Sequence, residues 1–124
     1  MSKTEAKTEA MRYVTNAKEI LKEKAKKEDG YYLDAKYIKM AGNTLWNGVL
    51  IALDTKFPQI KAGKGRPDQT KYRQAIKDNK AAKMFDSSYQ QLHLVMGYDG
   101  IGSEKQVKIA IEEAKSLINW ATQE

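Results

Sequence analysis

The sequence has no cysteine and only one histidine among its 124 residues. The absence of cysteine excludes a disulfide framework, a thiolate metal site and a cysteine nucleophile. The longest apolar run, Val49 to Leu53, is far shorter than the roughly 20 residues that cross a bilayer. The charged N-terminus also lacks the apolar core of a signal peptide. We therefore expect a cytoplasmic protein that makes no membrane contact.

Proline and glycine are scarce, with 2 and 8 residues. Hydrophobic residues make up 41% of the chain and charged residues 31%, a balance that is typical of a folded, helix-rich protein. A chain of this length is long enough for one hydrophobic core and too short for two. The sequence therefore predicts a single domain over residues 1–124, with residues 1–6 frayed.

Apolar residues recur at three-four spacing in several segments, which predicts amphipathic helices. No segment alternates over enough residues for a sheet. The predicted helices run from about Thr4 to Glu28, Tyr31 to Lys56, Asp68 to Asp78, Lys80 to Met96, and from Ser103 onward, where Ser103 and Gln106 form a capping-box pattern. The predicted fold is all-α, an antiparallel bundle of four to five helices.

The second predicted helix is apolar around most of its circumference, which predicts a central element with neighbours on at least two sides. Gly42 and Gly48 are unfavourable within a helix, so we expect a neighbouring backbone to approach closely there. On the narrow polar stripe, two apolar side chains lie beside two amides and form a candidate interface for self-association or a protein partner: Met40, Asn43, Asn47 and Leu50. A neighbouring helix of the same domain would cover them equally well.

Positive charge is concentrated between residues 56 and 80. Residues 58–80 alone hold 7 basic and 2 acidic groups, and residues 58–67 are predicted to form a basic loop. Basic groups beside an aromatic ring can contact phosphates and stack on a base, which makes this segment a candidate nucleic-acid site: Lys61, Lys64, Arg66, Lys71, Tyr72 and Arg73. A solvated basic surface explains the same pattern, and the glycines near Lys64 lack the frame of a phosphate-binding loop.

His93 is the natural candidate for acid-base chemistry, because Tyr89 and Asp86 precede it by one and two helical turns. A histidine at the edge of an apolar stripe is more often structural. One histidine and no cysteine leave no ligand set at zinc or di-iron spacing. We therefore predict no catalytic residues, no metal and no cofactor, and a protein that is not an enzyme.

The segment YYLDAKYIKMAGNTLWNGVLIALD, together with RYVTNAKEIL before it and YQQLHLVMGYDG after it, resembles a small uncharacterised bacterial family of helical-bundle proteins. In layout the chain is similar to HEPN-type domains. Many of these are ribonucleases that have an arginine, then four to six further residues, and then a histidine on a late helix. Here those positions hold Asp86, Ser87 and Ser88, so the resemblance implies a fold and not this activity.

Three functions follow as hypotheses. The first is a non-enzymatic module that acts through protein association, such as a homodimer or the non-catalytic partner role of some HEPN-type proteins. The alternative is nucleic-acid binding through residues 56–80. The third is hydrolase or nuclease chemistry around His93, Tyr89 and Asp86.

Overall fold

The computed structural model of the protein describes residues 1–61 and 68–123. The helices are α1 Lys3–Glu23, α2 Ala35–Lys56, α3 Pro58–Lys61, α4 Gln69–Ala75, α5 Asn79–Ser88, a π-helix Tyr89–Met96, and α6 Glu104–Ala121. The strands β1 Lys27–Glu28 and β2 Tyr31–Tyr32 form a two-residue antiparallel hairpin. The all-α prediction is confirmed. Within the described part of the chain, no helix is both long and apolar enough to cross a membrane.

Four long rods form the bundle: α1, α2, α5 with the π-helix, and α6. The first and last rods, α1 and α6, run antiparallel, since Lys3 Nζ donates to the Gln123 carbonyl (2.7 Å) at one end of the pair. At the other end Lys27 Nζ donates to the Glu104 carboxylate (3.0 Å). This bond raises the pKa of Lys27.

The second helix, α2, contacts each of the other three rods, which explains why its apolar residues surround most of its circumference.

The core consists of the apolar stripes that the sequence shows. Its largest fully buried apolar side chains are Val14, Ile38, Leu45, Val49, Leu53, Phe85, Leu92, Met96, Leu117 and Ile118. Burying such a side chain contributes about 1.5–3 kcal/mol, which makes this set the main source of stability.

The first helix ends five residues before the predicted boundary at Glu28, and a hairpin replaces its last turn. Lys26 and Asp29 adopt positive φ angles of 49° and 51°. The Ala25 carbonyl accepts backbone hydrogen bonds from Leu33 (3.3 Å) and Asp34 (3.0 Å). These bonds satisfy the backbone where helical bonds were expected, so the predicted helical start at Tyr31 is also wrong.

The predicted fraying of residues 1–6 differs from the structure, in which α1 begins at Lys3. The Ser2 hydroxyl accepts from the Glu5 backbone N–H (3.1 Å), and the Ser2 backbone N–H donates to the Glu5 carboxylate (3.2 Å). The backbone bond from Ser2 lowers the pKa of Glu5. This capping box satisfies N–H groups that would otherwise lack partners at the helix start.

The basic loop predicted over residues 58–67 lies only partly within the described residues. Pro58 opens the one-turn helix α3, a position that suits its fixed φ angle and missing N–H. Residues 62–67, which include Lys64 and Arg66, lie outside the described residues.

The rod predicted from Lys80 to Met96 changes type halfway. Its second half is a π-helix, the type of helix in which an N–H bonds to the carbonyl five residues earlier. The bond from the Gly97 N–H to the Leu92 carbonyl (2.9 Å) is an example. A π-helix widens the turn and redirects the side chains that follow. Such segments are rare and often lie at functional sites.

Candidate functional site: a cleft beside the π-helix

A cleft of about 480 Å³ opens between α2, the start of α4 and the π-helix. Nine described residues line it: Asn43, Trp46, Asn47, Leu50, Asp68, Gln69, Tyr72, Tyr89 and His93. Small-molecule sites typically measure about 300–1,000 Å³ and combine apolar or aromatic walls with a few polar groups. The cleft has both properties.

The α2 wall contains three of the four residues that the sequence suggested as an interface. Asn43 is exposed, and its side-chain amide donates to the Gly97 carbonyl (3.2 Å). Leu50 is only 6% exposed, so the expectation of an exposed apolar surface there is wrong. The fourth residue, Met40, stays on the exposed surface one turn before Asn43. Three of the four residues of the predicted stripe therefore line the cleft.

Three rings from α2 and the π-helix line the cleft and contact one another. The Trp46 and His93 rings stack, with centroids 5.7 Å apart and planes 30° apart. Tyr89 contacts both rings, with centroids 5.7 Å from Trp46 and 5.5 Å from His93. Phe85 supports Trp46 from the core at 5.7 Å. These ring contacts hold the imidazole of His93 in place.

His93 Nδ1 is buried and has no hydrogen-bond partner among the described residues. A buried polar atom without a partner costs about 1–3 kcal/mol, so such atoms often mark sites with a role beyond stability. This atom is the clearest departure from a satisfied structural histidine.

Tyr72 fixes α4 to the rest of the domain. Its side chain is 2% exposed, its hydroxyl donates to the Asp54 carboxylate, and its ring lies 6.5 Å from that of Phe85. A buried ring cannot stack on a nucleic-acid base, so this part of the nucleic-acid hypothesis is wrong.

The other basic candidates do not gather into one site among the described residues. Arg73 Nε donates to the Asp86 carboxylate (2.9 Å), which joins α4 to α5. Lys71 is exposed on α4. Only the backbone of Lys61, which lies in α3, is described. Because Asp86 is paired with Arg73 and does not line the cleft, the structure does not assemble the suggested group of His93, Tyr89 and Asp86.

Asp68 stands at the rim of the cleft, where α4 begins. Its Oδ1 accepts from the Lys71 backbone N–H (3.2 Å), which makes it the N-cap of that helix. Among the nine described lining residues it is the only carboxylate, and none of the nine is a lysine or an arginine. No three metal-ligating side chains come together in the described ranges, 1–61 and 68–123.

A model of the family described as "Domain of unknown function (DUF5618)" matches residues 5–123. The chain belongs to this family. Among solved structures, it is similar to a protein of unknown function from Dyadobacter fermentans, with 48% identity, a TM-score of 0.92 and 98% of each chain covered. No curated protein matches the chain. The predicted resemblance to a helical-bundle family of unknown function is confirmed, whereas the HEPN-type resemblance is not shown and stays a prediction.

In this family member, residues from three separate sequence hypotheses meet in one place. Asn43, Asn47 and Leu50 were interface candidates, Tyr72 a nucleic-acid candidate and His93 a catalytic candidate. Sequence reasoning assigned no functional role to Trp46, Asp68 or Gln69. Trp46 follows Asn43 by three residues on the same helix face, which is the one signal that could have drawn attention to it.

Proposed function

We propose that the protein is a non-enzymatic binding module that holds a small molecule in the cleft. The observation that carries this proposal is the convergence of α2, the start of α4 and the π-helix around one concave, aromatic-walled space. Concave sites with a few convergent polar groups bury most of a small ligand, whereas protein interfaces are usually flatter.

The surroundings of His93 favour binding over catalysis. A histidine that acts as a general base is normally oriented by a carboxylate or carbonyl on its second nitrogen. Here the rings of Trp46 and Tyr89 hold the imidazole, and the carboxylate of Asp86 is engaged by Arg73. These contacts support a role in recognition.

Affinity selection with mass spectrometry tests the proposal. The protein is equilibrated with a defined pool of polar metabolites, and the retained compounds are identified for the wild type, for N47F and for N119F. Asn47 lines the cleft, and the exposed Asn119 on α6 provides the same substitution outside it. Retention by wild type and N119F, with loss in N47F, is the expected result. No retained compound, or equal retention by all three folded proteins, would contradict it.

Self-association is a second candidate, and an exposed apolar surface favours it. Tyr31 pairs with Ser103, and the Tyr32 N–H donates to the Gly102 carbonyl (3.2 Å). Continuing this antiparallel register places Leu33 opposite Ile101, and these side chains are 55% and 59% exposed. We call Tyr31, Leu33 and Ile101 the end patch, and propose that it contacts a second copy of the chain.

Size-exclusion chromatography with light scattering tests the dimer at high micromolar concentration. A dimer that L33K dissociates is the expected result, because a buried lysine would lose its hydration. The control is I109K, which changes an apolar residue of similar exposure, 53%, on α6. A monomeric wild type, or dissociation by both variants alike, would remove the proposal.

Nucleic-acid binding through residues 56–80 stays a prediction that rests on charge alone. Without stacking by Tyr72, only phosphate contacts remain, and their affinity falls steeply with salt. An electrophoretic shift of RNA or DNA at about 50 mM salt would keep this alternative, and its absence would end it.

A further inference from the structure

We infer that the ligand of the cleft is a small organic cation, an ammonium group with apolar substituents. This inference rests on the proposed function, whose site it uses. It follows from the juxtaposition of one carboxylate, that of Asp68, with the aromatic rings of Trp46 and Tyr89.

Charge is the first argument. The described lining contains Asp68 and no lysine or arginine. Asp68 is exposed, and its Oδ1 accepts from the Lys71 backbone N–H. An anionic ligand would be repelled by this carboxylate, whereas a cationic ligand is attracted to it.

Aromatic surface is the second argument. The face of an aromatic ring carries negative potential and attracts cations within about 6 Å of its centroid. The chain already uses this contact elsewhere, because Lys56 Nζ lies 4.5 Å from the centroid of the Trp120 ring. The methyl groups of an alkylated ammonium would also contact Leu50 and the ring edges. Such a ligand therefore suits a lining that has both apolar and polar side chains.

The net charge of +6 does not oppose this inference at short range. Exposed charges are screened over about 8 Å at physiological ionic strength, so the groups that touch the ligand decide the local preference. The exposed Lys71 side chain belongs to the helix that Asp68 caps, but it does not line the cleft.

Two matched probes test the inference by calorimetric titration of the full-length protein. Choline carries the positive charge, and 3,3-dimethylbutan-1-ol has the same shape with carbon in place of nitrogen. We expect choline to bind about tenfold more tightly, in the range of a desolvated cation–π contact. Equal affinity for the two probes, or tighter binding of the alcohol, would overturn the inference.

A pair of charge-removing variants locates the interaction. D68N removes the carboxylate charge and keeps a residue that caps helices equally well. D78N makes the same change at the N-cap of α5, outside the cleft. Choline affinity should fall about fivefold in D68N, as for loss of an exposed ion pair, and stay unchanged in D78N. An unchanged D68N would overturn the assignment, and circular dichroism confirms that both variants fold.

The same head group also occurs on modified lysine side chains of proteins, so a third probe separates the sources. A short peptide with one trimethyllysine is titrated beside free choline. Choline binding that matches or exceeds that of the peptide supports a free small molecule, and binding of the peptide alone overturns it.

The metabolite pool separates failure of this inference from failure of the proposed function. If the wild type retains a neutral or acidic compound that N47F does not retain, and choline does not bind, the cleft is a ligand site and the cation assignment is wrong. If no compound binds, both proposals fail.

Discussion

The same two helices, α2 and the π-helix, meet in two different ways within about one turn of each other. At Gly42 their backbones touch, since a Cβ built there would lie 2.7 Å from the Leu92 carbonyl oxygen and 2.6 Å from Met96 Cβ. At Trp46, four residues later, a large ring lies between the helices, and the cleft opens beside it. A change in side-chain size along one helix pair therefore produces both the tight contact and the cleft.

This arrangement gives the cleft a rigid edge. Gly97 lies on the other side of this contact, because a Cβ built there would lie 2.7 Å from the side-chain oxygen of Asn43 on α2. Packed glycines fix the distance between the backbones, and Trp46 then sets how far the helices diverge. A ligand in the cleft would meet side chains that are already held in place, which lowers the entropic cost of binding.

The largest effect is expected from removing the side chain that separates the helices. W46A should lower the free energy of unfolding by about 4 kcal/mol, because a buried indole and its ring contacts are lost. Urea denaturation followed by circular dichroism measures this change. W120A is the control, since Trp120 is only half-buried, and its loss should cost clearly less. Equal losses in the two variants would mean that Trp46 does not determine the divergence.

The second effect concerns the tight contact itself. G42A should lower the free energy of unfolding by about 2 kcal/mol, because the added methyl group meets backbone atoms that cannot move independently. G48A is the matched control on the same helix, where the nearest atoms, Ala10 O and Tyr13 Cβ, are 3.1 Å away. Alanine gains about 1 kcal/mol in helix propensity, which should offset the mild crowding at Gly48. A G48A variant less stable than G42A would reverse the assignment.

Periodicity in the sequence was enough to predict the bundle, the central position of α2 and close backbone approach at Gly42 and Gly48. These features depend on residues spaced three or four apart, which a single helix brings together. The capping box of Ser2 and Glu5 was also visible in the sequence, although we predicted fraying there.

The π-helix and the cleft could not be predicted in this way. A π-helix differs from an α-helix only in the carbonyl that each N–H selects, and no residue pattern in Tyr89–Met96 marks that choice. The cleft requires Asn47, Asp68 and His93 to meet from three segments, and their separation in sequence carries no information about that. Tyr72 was misjudged for the same reason, because its partner Asp54 lies on another helix.

A third prediction separates stability from function within the cleft. H93F keeps an aromatic ring stacked against Trp46. It removes the buried Nδ1, which has no hydrogen-bond partner in the described ranges. We expect the free energy of unfolding to rise by about 1 kcal/mol, since the desolvation cost of that nitrogen disappears. Urea denaturation measures the gain, and titration with choline, the probe of the proposed site, should show weaker binding. A less stable H93F would indicate that the nitrogen is satisfied in solution.

The smallest effect concerns the polar link between the two regions, the bond from the Asn43 amide to the Gly97 carbonyl (3.2 Å). N43A should be less stable than N16A by about 0.5–1 kcal/mol, the usual net contribution of one hydrogen bond. Asn16 is exposed on α1, so both substitutions gain the same helix propensity and only N43A loses the bond. Urea denaturation of both variants gives the difference. Equal stabilities would mean that water replaces this bond, and that packing of Gly42 and Gly97 alone holds the crossing.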